Sequence, residues 1–345
     1  MITRATGALL LGLTLAAADA PAQNYTVFDI PGAVGAPKVV GISDASEVTG
    51  SYADSSGKTH GFVRRADGTV TSFDVRGALA GTYPTGINTT GTVVGYFWTK
   101  PYTAQGFIRA QDGAITVYDV PDSYYTQPTA INAAGDIAGY FTPVITPVAF
   151  PTGFLLTAAG VLTTFTTPDS SLAIYAMNDL DAVAGVADTA GFLATTPGPV
   201  SGFFAPLPAI GADETFPVAL NDLGVAAGYA FDDACGGSEG EFCVELFKRS
   251  FVRAADGTIT EFGMPDSSRH GTWATGINSA GTIVGYYYSG SSHLAQGFIR
   301  DSAGALSSFM VPGMTQTAPV AINSFGEIAG ACADSTGGHG FIRTP

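Results

Sequence analysis

Charge is scarce in this chain, and basic charge scarcest: Lys and Arg total 14 against 29 Asp and Glu, for a net charge of −15. Such a surface repels a phosphate backbone, which argues against nucleic acid as a partner. Charged residues make up only 12% of the chain while Gly contributes 45 residues, with many β-branched and aromatic side chains, so helix formers are thin and strand and turn formers dominate. Catalytic signatures are missing too. There is no G-x-S-x-G, no H-E-x-x-H, no phosphate loop and no Cys–His spacing for zinc, so no catalytic residue, metal ligand or cofactor is assigned.

Long apolar runs are also absent after the first twenty residues, so no membrane span is expected. The opening stretch is a different matter. Arg4, then ALLLGLTLAAA, then Ala20-Pro21-Ala22 before Gln23 has the order of a signal peptide, with no Cys behind it to take a lipid. Residues 1–22 are read as that signal, and 23–345 as a single domain of a secreted or periplasmic protein, expected to be a monomer.

What the chain has in abundance is repetition. A GIN-x-x-G phrase ending in two apolar residues, Gly and an aromatic recurs as GINTTGTVVGYF at 86, AINAAGDIAGYF at 130, AMNDLDAVAGVA at 176, ALNDLGVAAGYA at 219, GINSAGTIVGYYY at 276 and AINSFGEIAGAC at 321. GISDASEVTGSY at 41 is an earlier copy with Ser43 in the Asn place. The landmarks at 43, 88, 132, 178, 221, 278 and 323 are spaced by 45, 44, 46, 43, 57 and 45 residues. Each period reads as four short strands: one ending at the Asn turn, one carrying the late Gly, a GF-apolar-Arg strand, and a TVTSFDV-like strand after a DG turn. Gly95, Gly139, Gly185, Gly228, Gly285 and Gly330 are read as points where a neighbouring backbone comes close.

Four antiparallel strands in roughly 45 residues is the pattern of a propeller blade. The expectation is an all-β, seven-bladed β-propeller. The phrase YTVFDI at 25 has the form of a fourth strand with no third strand before it, while the chain ends on GFIR with no fourth strand behind it. The N-terminal strand is therefore expected to complete the last blade and close the ring.

The His60-Gly61-Phe62-Val63 and His339-Gly340-Phe341-Ile342 stretches, with the GIN phrases, resemble the bacterial extracellular repeat family called HAF. The resemblance spans nearly the whole mature chain; it implies a secreted repeat protein and carries no activity with it. The fourth period departs from the pattern, losing the aromatic after its Gly and the Arg after its GF.

Recurrent polar residues are read as serving each blade: Arg64, Arg109, Arg253, Arg300 and Arg343 in one slot, Asp29, Asp74 and Asp119 in another. His60 and His339 share a slot with Gln105 and Gln296, where hydrogen bonding is the expected role. Variable connections carry the candidate binding residues. Tyr83, Trp98, Tyr102, Tyr124, Tyr125, Trp273 and Tyr288 lie in or beside them, with Arg269, His270 and His293. Flat rings beside hydrogen-bonding groups suit sugars or extended peptides, so the expected partner is an extracellular glycan or a protein surface. The plainer reading is that these rings only cover the loop side of the sheets.

The long fifth-period insertion holds Cys235 and Cys243, expected to pair in an oxidising compartment, and leaves Cys332 as a buried apolar residue. Its acids, Asp232, Asp233, Glu239, Glu241 and Glu245, lack calcium-loop spacing and read as a solvated acidic loop. The first functional expectation is a non-enzymatic binding protein. A polysaccharide lyase or glycoside-degrading enzyme using His270, Arg269, Tyr124 and His293 is the alternative, and a structural scaffold the third.

Overall fold

The computed structural model describes residues 24–144, 150–166, 171–195, 205–206, 214–233, 246–290 and 294–345. Among them every regular element is a β-strand. The chain opens with β1 (Asn24–Phe28), followed by β2 (Lys38–Ile42), β3 (Val48–Ala53), β4 (Thr59–Arg64) and β5 (Val70–Phe73). Next come β6 (Thr82–Ile87), β7 (Val93–Lys100), β8 (Thr103–Arg109) and β9 (Ile115–Tyr118), then β10 (Ser123–Ile131), β11 (Ile137–Pro143), β12 (Thr152–Leu156) and β13 (Leu162–Phe165). They are followed by β14 (Leu172–Met177), β15 (Val183–Ala187), β16 (Ala190–Ala194) and β17 (Ala205–Pro206), and by β18 (Glu214–Leu220), β19 (Ala226–Asp233), β20 (Leu246–Arg253) and β21 (Ile259–Phe262). The last are β22 (Ser267–Ile277), β23 (Ile283–Ser289), β24 (Ala295–Arg300) and β25 (Leu306–Phe309), then β26 (Gln316–Ile322), β27 (Ile328–Ala333) and β28 (Gly338–Thr344).

These strands make an all-β, propeller-like fold of antiparallel meanders. Five sheets have four strands: β2 to β5, β14 to β17, β18 to β21, β22 to β25, and β1-β28-β27-β26. The expectation of seven separate blades needs correction at one place, because β6 to β13 run on as a single eight-stranded sheet. The junction is narrow. The outer end of β10 reaches past its own meander and runs parallel to β8, with Tyr125 opposite Ala104. In the sheet β1-β28-β27-β26, β1 pairs antiparallel with β28, from Asn24 opposite Thr344 to Phe28 opposite Gly340.

The glycines and asparagines of the repeat explain why each meander forms. A Cβ on Gly285 would lie 1.9 Å from the Trp273 carbonyl oxygen, and one on Gly228 2.0 Å from that of Phe216. Only glycine lets the first strand of each meander bulge this close to the second. At the turn, the Asn221 side-chain oxygen accepts the backbone N–H groups of Leu223 and Val225 at 3.1 and 3.0 Å. This turn chemistry is what the repeated phrase encodes. At the DG turns, Gly68, Gly113 and Gly257 have φ of 89°, 94° and 92°, a conformation that favours glycine.

Between successive meanders lie clusters of buried apolar side chains. Phe28 and Ile30 pack with Val39, Val48 and Phe62, and Ala329 and Ile342 join them, so the first meander rests on the sheet that ends the chain. The recurrent arginines stack across the same seams: Arg64 over Phe28 at 4.9 Å, Arg109 over Phe73 at 5.0 Å, Arg300 over Phe262 at 5.2 Å and Arg343 over Phe309 at 5.3 Å. Their repetition is thus architectural. The His and Gln slot meets the Asp slot in the same way, with Gln105 donating to Asp119 at 3.1 Å and His339 Nδ1 lying 2.6 Å from Asp29. Cys332 is 2% exposed and free, in keeping with a small apolar role. Cys235 and Cys243 and residues 1–22 lie outside the described residues.

Candidate site at the loop end of a central channel

The first strands of the meanders surround a channel. Its upper cavity, about 280 Å³, is lined by a triplet from each of β2, β6, β10, β14, β18, β22 and β26. A second cavity of the same size, about 280 Å³, lies at the turn end and is lined by the asparagines and their neighbours. Ile42, Ile87, Ile131, Met177, Leu220, Ile277 and Ile322 border both cavities, an apolar layer between the two ends.

At the turn end each asparagine reaches the next meander. Asn88 donates to the Asn132 carbonyl at 3.1 Å, Asn178 to Asn221 at 3.0 Å, Asn221 to Asn278 at 3.1 Å and Asn278 to Asn323 at 3.2 Å. Asn323 donates to the Ser43 carbonyl at 3.1 Å, across 280 residues of sequence. Asn132 instead donates to the Asp181 carboxylate at 2.8 Å. Burial and the neighbouring Asp136 push Asp181 above its ordinary pKa.

The loop end is built differently. Five residues before each turn residue, the first strand pairs with the residue after the close-approach glycine. Those pairs are Tyr83 with Tyr96, Gln127 with Tyr140, Phe216 with Tyr229 and Trp273 with Tyr286 in four meanders. In the other three they are Lys38 with Ser51, Ala173 with Val186 and Ala318 with Ala331. The seams close without an aromatic ring in those three, so packing alone does not demand aromatic rings in the other four.

The rings touch in sequence around the mouth. Tyr83 stacks on Tyr96 at 5.1 Å with 12° between planes; Trp98 lies 6.1 Å from Tyr96 and 5.4 Å from Tyr125; and Tyr125 lies 6.1 Å from Tyr140. On the far side Phe216 stacks on Tyr229 at 5.3 Å, Tyr229 meets Trp273 at 4.7 Å, and Trp273 stacks on Tyr286 at 6.0 Å and 12°. Tyr288 meets the edge of Tyr286 at 5.8 Å. Tyr175 borders the upper cavity, and its charge would add to the burial that raises the Tyr140 and Tyr229 phenols.

All these rings are half-buried. Burial is the main cause that pushes the Tyr96, Tyr125, Tyr175 and Tyr229 phenols above their ordinary range and those of Tyr140 and Tyr286 up to about 12. They stay protonated at neutral pH and keep an O–H to donate. Gln127 anchors part of the arc, accepting from Tyr125 and, at 3.0 Å, from Tyr140.

Of the residues singled out in the sequence, Tyr83, Trp98, Tyr125, Trp273 and Tyr288 join this arc. Tyr124, adjacent to Tyr125, is 49% exposed, and Tyr102 is 88% exposed at the tip of the β7–β8 hairpin; both lie outside the stack. Arg269 and His270 sit where four residues of β22 bulge between Ser267 and Thr272, beside Tyr288, and their side chains are outside the description. His293 lies outside the described residues. Tyr96, Tyr140, Tyr175, Phe216, Tyr229, Phe231 and Tyr286 were not anticipated. For Tyr96, Tyr140, Tyr229 and Tyr286 the signal was present in the phrases themselves, as an aromatic after the glycine in some copies and not in others, whereas Tyr175 and Phe216 precede their phrases and Phe231 follows its own. Among the described residues no group of three His, Cys, Asp or Glu is placed to hold a metal ion.

The sheets and the channel define a propeller-like all-β protein. No protein-family profile matches the chain, and no curated protein matches it in sequence. Among solved structures it is similar to a streptogramin B lyase, at 14% identity and a TM-score of 0.56 over 93% of this chain and 97% of that one. It is equally similar to an inactive virginiamycin B lyase from Staphylococcus aureus bound to quinupristin, with 14% identity and a TM-score of 0.56 over 94% and 100%. A puromycin hydrolase variant matches at 15% identity and a TM-score of 0.59 over 89% of this chain and 52% of that one. Likeness at this level of identity concerns the fold.

Proposed function

We propose that this chain is an exported, monomeric, seven-bladed propeller related to the HAF repeat proteins, and that it binds an extracellular glycan without turning it over. The sevenfold count is supported by the channel, to which seven first strands each give a triplet, and by the narrow junction inside the eight-stranded sheet. The binding reading is carried by one observation: an arc of half-buried, protonated tyrosines with both tryptophans at the loop end of the channel. A sugar ring offers an apolar C–H face and a rim of hydroxyls, which matches stacked rings with O–H donors at their edges. The channel cavity next to the arc, about 280 Å³ and bordered by Tyr175 alone of its rings, also favours a glycan end over a flat protein surface.

The test is the mature protein on a broad glycan array, with the same polysaccharides assayed for new reducing or unsaturated ends. Binding without new ends, lost in a Tyr96→Ala/Trp273→Ala variant that keeps its fold, is the expected result. The second reading is a polysaccharide lyase. It is favoured by the β22 bulge that brings the backbone of Arg269 and His270 beside Tyr288. New unsaturated ends that disappear in His270→Ala would replace the binding reading with that one.

A further inference from the structure

We infer that the site continues outward from the channel mouth across Trp98 into a second subsite, so that its ligand is a chain of at least two sugar units and not a single residue. The inference rests on the glycan reading above. A cavity of about 350 Å³ lies between the link that leads into β6 and the β7–β8 hairpin, lined by Leu79, Ala80, Trp98, Lys100, Pro101 and Tyr102. It is a separate hollow from the channel, yet two residues belong to both neighbourhoods. Trp98 forms one wall here and meets Tyr96 and Tyr125 of the arc at 6.1 and 5.4 Å. Tyr83, stacked in the arc, donates its O–H to the Ala80 carbonyl at 3.3 Å.

The walls of this hollow are held in place. The Leu79 N–H donates to the Trp98 carbonyl at 2.9 Å, fixing the link against β7. Register shifts between Trp98 and Lys100, and Lys100 pairs with Thr103, so Pro101 and Tyr102 form the hairpin tip. At that tip Tyr102 adopts φ of 63°, a left-handed conformation that is uncommon for a bulky side chain. Strain of this kind gathers at ligand clamps. Leu79 and Tyr102 are 67% and 88% exposed, so apolar surface is presented to solvent on both sides of the hollow. A sugar unit stacked between the Trp98 and Tyr102 rings would cover it, and the wall shared with the arc makes that unit the neighbour of one at the mouth.

The experiment is calorimetric titration of the full mature protein with glucose, xylose and mannose and with cellotetraose, xylotetraose and mannotetraose. In the series that binds, the tetrasaccharide is expected to bind at least about tenfold more tightly than its monosaccharide, the worth of an added stacking contact. Tyr102→Ala, a change at an exposed position, should remove that gain and leave the monosaccharide unchanged, whereas Trp273→Ala should weaken both. Equal binding of the two lengths, or a tetrasaccharide indifferent to Tyr102→Ala, overturns the second subsite while the mouth reading stands. Failure of the unsubstituted protein to bind any of the six overturns the glycan reading and this inference with it.

Discussion

The two ends of the channel use the same seven strands to opposite purposes. At the turn end, nearly every meander repeats one buried asparagine that closes its own turn and grips the next meander. At the loop end, the corresponding strand positions hold Lys38, Tyr83, Gln127, Ala173, Phe216, Trp273 and Ala318 in succession. Uniformity marks what every meander needs in order to stack; variety marks what the surrounding frame leaves free. The difference gives direct ways to break one end without the other.

The largest effect is expected where the two ends are mechanically joined. Gly285→Ala would set a carbon 1.9 Å from the Trp273 carbonyl, forcing β22 away from β23. More than about 3 kcal/mol of stability should be lost, together with the proposed glycan binding at Trp273. Gly263→Ala is the control, since its added carbon would meet nothing nearer than Thr272 Oγ1 at 3.6 Å. Urea unfolding of the two variants would measure the contrast; equal midpoints would show that the close approach is dispensable.

A change at the turn end alone should cost somewhat less. Asn221→Ala removes two turn hydrogen bonds and the link to Asn278, about 3 kcal/mol at roughly 1 kcal/mol per bond. The dissociation constant of the folded fraction should stay the same. Tyr229→Ala should do the reverse, and a variant pair that failed to separate stability from affinity would undo the division between the ends.

The smallest effect is a dependence on pH that also divides the molecule. The hydrogen bond to Asp29 raises the pKa of His339, so its contribution is complete below about pH 6.5 and fades as pH rises through the folded value. Asp334, lowered to about 2 chiefly by its hydrogen bonds with Thr336, contributes above about pH 4 and fades as pH falls through that value. Together the two groups contribute most to stability between about pH 4 and 6.5, with only the His339 pair bridging the ends of β1 and β28. Asp29 is 74% exposed, so solvent screening holds the His339 pair under about 1 kcal/mol. His339→Gln should flatten the loss above about pH 6.5 in thermal unfolding and leave the acid limb in place. Ligand affinity, resting on phenols that keep their protons, should stay level from pH 6 to pH 9.

Much of this frame was legible because each motif solves a local problem. Gly95 and its counterparts announce a close backbone approach, the DG pairs announce turns, and the spare YTVF strand announces a partner at the far end of the chain. The asparagine was legible only by half: its own turn follows from local chemistry, while the bond from Asn221 to Asn278 depends on a neighbour 57 residues away. The eight-stranded sheet was hidden for a similar reason, since nothing near Tyr125 in sequence reports Ala104 beside it. At the site, successive residues on a strand face opposite ways. Tyr124 and Tyr125 therefore look alike on paper, and only the register puts one outside the arc and the other within it. Tyr96, Tyr140, Tyr229 and Tyr286 were concealed by membership of the repeat; reading where the repeat drops its aromatic, at Ser51, Val186 and Ala331, would have revealed them.

The pairing of β1 with β28 also sets an order of events. Thr344 and Asn24 are 320 residues apart, so β1 must wait for β28 before it has a partner. Every other meander is assembled from strands close in sequence and has a shorter loop to close. Folding should therefore end with a slow annealing step between β1 and β28, and until then β1 is an unguarded edge, open to the same strand of another molecule.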